Sequence, residues 1–309
     1  MMKEILKITG IYSFVLICII LIVLFPRTPK VGVEPGWGGV LNVEEEQFML
    51  EEYKDNIVTY VKSVYENNSL GGTKWPTRSA EDEILKYMPR SLAVLGLGFI
   101  LSMLIGFWKG IYDFRASKSK LNVVGNGSTW LFQSIPDYFI AICVIWLFWF
   151  FAPFSIMGSM SWYKFIAPGI LVSISPMFYI ARITNVALVT QEHEPFVQVA
   201  ASKGLTKKLI LSNHLMRHCF ISLSNHLPSI MVFLLSNLLV VEYLIGYEGA
   251  AYRLFSAIGY TNEIVPSFVS DRVIVDESGL IIGISICFLL LVMIAHVIGN
   301  LVKYRFEPK

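Results

Sequence analysis

An all-α polytopic membrane protein with six transmembrane helices is the fold class the sequence predicts. Three observations predict it: the composition, six apolar stretches of spanning length, and a charge that alternates from loop to loop. The 309 residues are 55% hydrophobic and 16% charged, with a mean hydropathy of +0.60, whereas soluble domains carry about 25% charged residues. That is more apolar side chain than one soluble core takes in. A hydrocarbon layer of about 30 Å needs roughly 20 apolar residues per helix. The stretches near 8–25, 91–108, 130–151, 164–181, 226–247 and 279–302 meet that length.

The first stretch follows Lys3 and Lys7. With no small-x-small pattern after Leu24, it reads as an uncleaved helix and not a secretory leader. Between it and the second stretch, Leu50, Tyr53, Ile57, Tyr60, Val61 and Val64 recur at helical spacing up to the Asn67-Asn68-Ser69 break. This predicts a small extracytoplasmic subdomain, with the formal glycosylation triplet read as a polar turn. Within the third stretch, the run Trp146, Phe148, Trp149, Phe150 and Phe151 reads as an interfacial aromatic belt. Pro168 and Pro176 interrupt the fourth stretch, which is kept because neighbouring helices can re-satisfy backbone groups freed by proline. Cys18, Cys143, Cys219 and Cys287 stand far apart without a CxxC pair, which points to packing and not to redox chemistry or metal binding.

Orientation follows from Lys and Arg, because the net charge of +2 says little about partners. Residues 26–90 are net acidic, through Glu44, Glu45, Glu46, Glu51, Glu52, Glu81, Asp82 and Glu83. The next loop has Lys109, Arg115, Lys118 and Lys120 against Asp113. The fourth connection has Arg182, Lys203, Lys207, Lys208 and Arg217 against Glu192 and Glu194, and the tail holds Lys303, Arg305 and Lys309. The loop 248–278 is acidic again, with Glu248, Glu263, Asp271, Asp276 and Glu277. The basic stretches are therefore expected in the cytoplasm, with both termini inside.

The stretch from Glu194 to His214 is the most informative. Pro195 suits a first helical turn, Gly204 can take the left-handed conformation that ends a helix, and Thr206 can cap the next one. Two short helices around a glycine are expected, lying on the membrane face. Intramembrane polar groups are the other candidates, because a charge in lipid costs roughly 3 kcal/mol unless it faces protein or water. They are Asp137, Asn237 and Glu242. Asp137 reads either as a helix cap or as a pathway group, and Glu242 either as a pathway group or as an interhelical hydrogen-bonding partner. The chain contains no Gly-x-x-x-x-Gly-Lys-Ser/Thr loop to cradle phosphates and no HExxH helix. His193, His214, His218 and His226 gather around one loop without partnered carboxylates, so no catalytic residue and no metal site is expected.

The run Pro195-Phe196-Val197-Gln198-Val199-Ala200-Ala201-Ser202-Lys203-Gly204-Leu205 is similar to the EAA motif of ABC importer permeases, in the form found in the oligopeptide and dipeptide permease family. The likeness extends through Leu70-Gly71, Met88-Pro89-Arg90-Ser91-Leu92, Ser134-Ile135-Pro136, Ala181-Arg182 and Val240-Val241-Glu242. It implies a type I ABC importer permease fold: an anchor helix at 1–25, an extracytoplasmic insertion at 26–90, a five-helix core at 91–302 with a cytoplasmic coupling loop at 190–218, and a tail at 303–309. It further implies that Pro195, Phe196, Ala200, Ala201, Lys203, Gly204, Leu205 and Lys207 face a separate ATPase. That ATPase would hold the ATP and Mg, leaving no cofactor in this chain. The implied partners are a second homologous permease in a heteromeric pair, two ATPase subunits, an extracytoplasmic solute-binding protein and the lipid bilayer, with no nucleic acid.

Three departures stand out: Gln198 where the family's Glu would be, Ser222 for the usual proline, and Glu248 where a Trp-Pro-Gly turn is common. Peptide-type relatives often lack that Glu too. The alternative reading they leave open is a non-transporting membrane interaction or sensory protein on a permease scaffold.

Overall fold

The computed structural model describes residues 2–25, 50–75, 77–117, 123–151, 164–259 and 277–306. Along the described chain run α1 (Met2–Val23), α2 (Leu50–Asn67), α3 (Ala80–Ala116), α4 (Ser128–Ser134), α5 (Asp137–Phe151), α6 (Ile166–Glu192), α7 (Pro195–Ser202), α8 (Lys207–Ile210), α9 (Met216–Asn225), α10 (Leu227–Ile245), α11 (Ala250–Ile258) and α12 (Ser278–Phe306). π-helical turns at Val123–Gly127 and Leu211–Leu215 lead into α4 and α9. Many large apolar side chains stay exposed on α1, α3, α5 and α12, among them Phe14, Ile100, Trp146 and Ile294. A water-soluble monomer rarely shows so much, and a bilayer covers it. The chain divides into two compact units, Met1–Ile84 with Asn262–Ile286, and Leu85–Thr261 with Cys287–Lys309.

In the first unit, the Tyr53 hydroxyl of α2 donates to the Leu21 carbonyl of α1 (2.7 Å). The segment from Ser69 to Ser79 closes on itself through the Gly72–Ser79 bridge. It is fastened by Glu81, whose Oε2 accepts from the Ser69 hydroxyl (3.1 Å), and by Glu277, whose Oε1 accepts from the Lys74 N–H (2.7 Å). Gly279 is small where α12 meets the backbone of Leu70, since any Cβ there would run into the Leu70 carbonyl. Ser79 and Asp82 cap α3 reciprocally. The Ser79 hydroxyl accepts from the Asp82 N–H (3.3 Å) and the Asp82 carboxylate accepts from the Ser79 N–H (3.3 Å).

In the second unit, glycines set the approach of α3 to α6. A Cβ on Gly106 would stand 2.6 Å from the Met177 carbonyl oxygen, and one on Gly110 would stand 2.6 Å from that of Ala181. This small-xxx-small spacing is the one that lets membrane helices touch backbone to backbone. Gly98 meets Gly169 and Val172 in the same way, so residue numbers rise together on the two helices and α3 runs parallel to α6. Tyr179 of α6 packs on His226 and Phe233 at the start of α10, whereas Val172 lies with Leu234 about Gly98. Hence α6 and α10 are antiparallel.

That pairing decides the number of spans. Five described helices are long and apolar enough to cross, and α4 with α5 forms a bent pair at 103°. If α3 and α6 both cross and run parallel, the chain between them must cross back once. The α4–α5 pair supplies that crossing, giving six spans. The sequence reading of 130–151 as one continuous helix is corrected here. Proline at 136 has no N–H to give and holds Ile135 extended (φ −90°, ψ 133°), which breaks the helix. The two prolines of α6 break nothing. Pro168 falls in the first turn, where N–H groups lack intrahelical partners anyway, and the helix runs through Pro176 to Glu192.

Candidate functional site

The hairpin after α6 forms because its helix ends are written into its residues. Glu194 is extended (φ −69°, ψ 146°) before Pro195, which occupies the first turn of α7. At the far end Gly204 takes φ +78°. The Leu205 N–H donates to the Ala200 carbonyl (3.3 Å) and the Gly204 N–H to that of Ala201 (2.9 Å), which is a Schellman ending that a Cβ would strain. Thr206 then caps α8, its Oγ1 accepting from the Leu209 N–H (3.4 Å).

Ala200, Ile210, Leu211 and Leu215 face inward, and the Phe196 ring stacks on His218 of α9 with centroids 5.3 Å apart. Pro195, Ala201, Lys203, Gly204 and Leu205 are exposed, together with the apolar Val199 and Leu209. The side chain of Lys207 lies outside the described part. Along α9 lies a mostly apolar cavity of about 520 Å³, lined by Met103 of α3, Met216, Phe220 and Leu223 of α9, Leu227 of α10 and Val302 of α12, with Ser212, Arg217 and Ser224 as its polar members. Cys219 beside it is fully buried, and burial pushes its thiol up to about 11.

A polar cluster ties the C-terminal part of α3 to the π-helical turn and to α4. Asp113 is fully buried and pairs with Lys109 (2.5 Å). The Thr129 hydroxyl donates to the other Asp113 oxygen (2.5 Å), while Lys109 Nζ also donates to Thr129 Oγ1 (3.0 Å) and the Gly125 carbonyl (3.0 Å). At the middle of α6, Gln133 donates through Nε2 to the Phe178 carbonyl (2.8 Å) and accepts from Arg182 through Oε1 (3.0 Å). The Asn185 amide donates to Asn126 (3.3 Å). Gly299 of α12 abuts the Ser224 carbonyl, so the C-terminal part of α12 lies beside the end of α9. In the sequence Lys109 and Asp113 count only as loop charges. Their i,i+4 spacing at the end of an apolar stretch is the signal that could have marked them as a pair.

At the opposite end of α10 a second cluster forms around Glu242, a fully buried carboxylate. The Ser91 hydroxyl of α3 donates to its Oε1 (2.6 Å). The N–H groups of Ala251 (3.0 Å) and Tyr252 (3.3 Å), in the first turn of α11, donate to its Oε2. Ser91 Oγ itself accepts from the Ala250 N–H (2.7 Å). The side chain of Glu242 thereby meets orphan donors at a helix start, where negative charge is favoured. A Cβ on Gly249 would collide with that carboxylate. The turn before it follows the logic of the hairpin: Gly246 at φ +71°, with the Tyr247 N–H donating to the Glu242 carbonyl (3.0 Å).

Arg90 pairs with Glu248 (3.1 Å) and donates to its carbonyl (3.1 Å). Glu248 thus stands in an ordered turn. Burial pushes the Tyr247 phenol above its ordinary value, the Glu242 carboxylate adding to the rise and the Arg90 guanidinium opposing it.

The other intramembrane candidates are not brought to this cluster. Asn237 is buried on α10, and among the described residues neither of its side-chain polar atoms has a hydrogen-bond partner. Asp137 opens α5 directly after Pro136, and its side chain lies outside the described part. Sequence reading singled out Glu242, and quoted Ser91 as part of the Met88–Leu92 run, but did not join the two, and it passed over Gly249.

The comparisons with known proteins fit this geometry. A chain of the MetNI methionine ABC transporter, crystallised in an inward-facing conformation, superposes with a TM-score of 0.54 at 16% identity, over 73% of this chain and 98% of that one. The likeness gives the fold, that of a type I ABC importer permease. A Brucella suis biovar 1 protein bearing the name of a peptide transport system permease is 22% identical over 199 residues, which is 61% of this chain and 63% of that protein. The chain thus spans less than two thirds of the length of the Brucella relatives it matches. The oligopeptide transport system permease protein OppB of Escherichia coli K12 is 21% identical over 211 residues, 67% of this chain and 69% of that protein. The family model described as binding-protein-dependent transport system inner membrane component matches residues 98–309. This chain therefore belongs to the family of inner membrane components of binding-protein-dependent transport systems.

Proposed function

We propose that the chain is a permease subunit of a binding-protein-dependent ABC importer, forming half of a pathway for peptides or similar small solutes. The observation that carries this reading is the α7–α8 hairpin. It is a short helix with both ends fixed by backbone chemistry, projecting apolar Val199, Leu205 and Leu209 beside Lys203 from the end of a spanning helix. A lever of this kind transmits rigid-body motion when its exposed face sits in a groove of a moving partner. The partner is an ATPase that binds ATP and Mg in its own chain. The full assembly is two such ATPases, a second homologous permease and an extracytoplasmic solute-binding protein. Both termini lie in the cytoplasm, as the basic tail and hairpin favour. Asp137 and Asn237 are the pathway candidates on α5 and α10.

The test is a mild-detergent pull-down of tagged chain, wild type beside Gly204→Pro, with co-purifying ATPase quantified and ATP-dependent uptake of labelled tri-alanine followed in parallel. Proline cannot reach φ +78°. The expected result is retention of ATPase by the wild type and its loss, with uptake, in the variant. If no ATPase accompanies the wild type, the importer reading fails, and the non-transporting alternative gains.

A further inference from the structure

The Glu242 cluster has a shape that contact with a passing solute does not call for. Three of the roughly four acceptor directions of the carboxylate meet this chain's own groups: Ser91 Oγ from α3, and the Ala251 and Tyr252 N–H groups from α11. Ser91 bonds both partners, donating to Glu242 and accepting from Ala250. Gly249 leaves the carboxylate room to reach the helix start. On the rim, Arg90, the neighbour of Ser91, holds Glu248, two residues before α11. Helix α3, whose Ser91 lies 151 residues before Glu242, is therefore joined to the consecutive helices α10 and α11 through one buried carboxyl group. Helix ends normally find caps within their own first turn, yet no side chain of α11's own N-cap residue can serve, because that residue is Gly249.

We propose that Glu242 and Ser91 are positioning residues that lock α11 to α3 and α10, so that the three elements move as one body during the transport cycle. The carboxylate acts through α11 and does not touch the solute. The proposal rests on the importer reading for its link to transport, but the lock itself can be read without transport.

The experiment uses the full chain with its co-purifying partners in nanodiscs. Spin labels are placed at Leu92→Cys on α3 and Ile258→Cys on α11, both exposed, with the four native cysteines replaced by alanine. The wild-type cluster should give one narrow label distance, unchanged between nucleotide-free and ATP–Mg-loaded samples. Glu242→Ala should broaden it and lower the maximal rate of labelled tri-alanine uptake about tenfold, the scale of losing hydrogen bonds to a charged group, with the half-saturating concentration unchanged. Glu242→Gln keeps an acceptor oxygen for the α11 N–H groups and should keep a narrow distance. Should Glu242→Ala fail to fold, Ser91→Ala carries the test, because it removes two of the bonds while leaving the carboxylate, and it should broaden the distance partially.

A narrow distance that survives in Glu242→Ala, or in Ser91→Ala where that variant carries the test, would overturn the lock. So would a rise in half-saturation at unchanged maximal rate, which would place the carboxylate on the solute. A wild-type label distance that shifts on ATP loading would overturn the single-body motion. If wild type shows no ATP-dependent uptake at all, the importer reading fails, while the label distances still decide whether Glu242 holds α11.

Discussion

The hairpin after α6 and the turn after α10 begin alike and end differently. Each closes a helix on a glycine near φ +70° to +80°, Gly204 in one and Gly246 in the other, and each starts a new short helix a few residues later. In the hairpin the new helix is capped locally by Thr206, with one long hydrogen bond of 3.4 Å, at an exposed surface. After α10 the new helix is capped by a buried carboxylate and by a serine 159 residues from the N–H it accepts. The same local device thus yields an exposed element on the surface and a fixed element built into the core. A structure that must pass motion from one face to the other needs both kinds. In the reading proposed above, the hairpin is the element that meets a partner, and the α11 cluster is the one that holds α3 in register with α10.

The largest effect that would sharpen this contrast is Glu242→Ala. Leaving the α11 N–H groups and Ser91 unpaired in a buried site should cost about 3 kcal/mol, seen as a marked fall in the melting temperature of detergent-solubilised protein by fluorescence-detected gel filtration. Gly249→Ala comes next, because its Cβ meets the Glu242 carboxylate, and overpacking of this kind costs about 1–3 kcal/mol. Its cost should shrink in a Glu242→Ala background, since the obstacle is gone. Additive costs for the two would break the assignment.

Gly204→Ala and Gly246→Ala should each cost about 1 kcal/mol through the left-handed backbone alone. A much larger loss at Gly204 than at Gly246 would show that the hairpin is the more tightly built of the two. Thr206→Ala, with its long bond, should stand at the low end of the roughly 0.5–2 kcal/mol for capping residues. Smallest of all is the expected maleimide labelling of Cys219 at pH 8. Burial raises the thiol to about 11, so the reactive thiolate is scarce below that pH and grows only as pH approaches it. Rapid labelling at pH 8 would show that the foot of the hairpin opens.

The two regions also differ in how legible they were. Pro195, Gly204 and Thr206 act within a few residues, and their spacing alone predicts α7, its ending and the start of α8, all of which the structure contains. Helix α2 was legible for the same reason, its apolar residues repeating at helical spacing up to Asn68, whose φ is +49°. The break between α4 and α5 had its signal in Pro136, but the long apolar run on either side concealed it. In the Glu242 cluster the carboxyl was marked by being a charge among apolar residues, and the sequence leaves its role between two readings because nothing in the Ser91 or Gly249 segments points to Glu242.

By itself, then, the sequence determined what depends on near neighbours: apolar stretches long enough to cross a bilayer, helix ends set by proline and glycine, and a buried charge that had to find partners. Only the tertiary structure decided which partners those were, and that α3 and α6 lie parallel through Gly106 and Gly110 so that α4 and α5 must together make one crossing. The physical reason is range. Helix propensity, capping and hydrophobic length act over one or two turns, whereas backbone approach and a carboxylate's hydrogen bonds join groups whose separation along the chain carries no trace of their closeness in space.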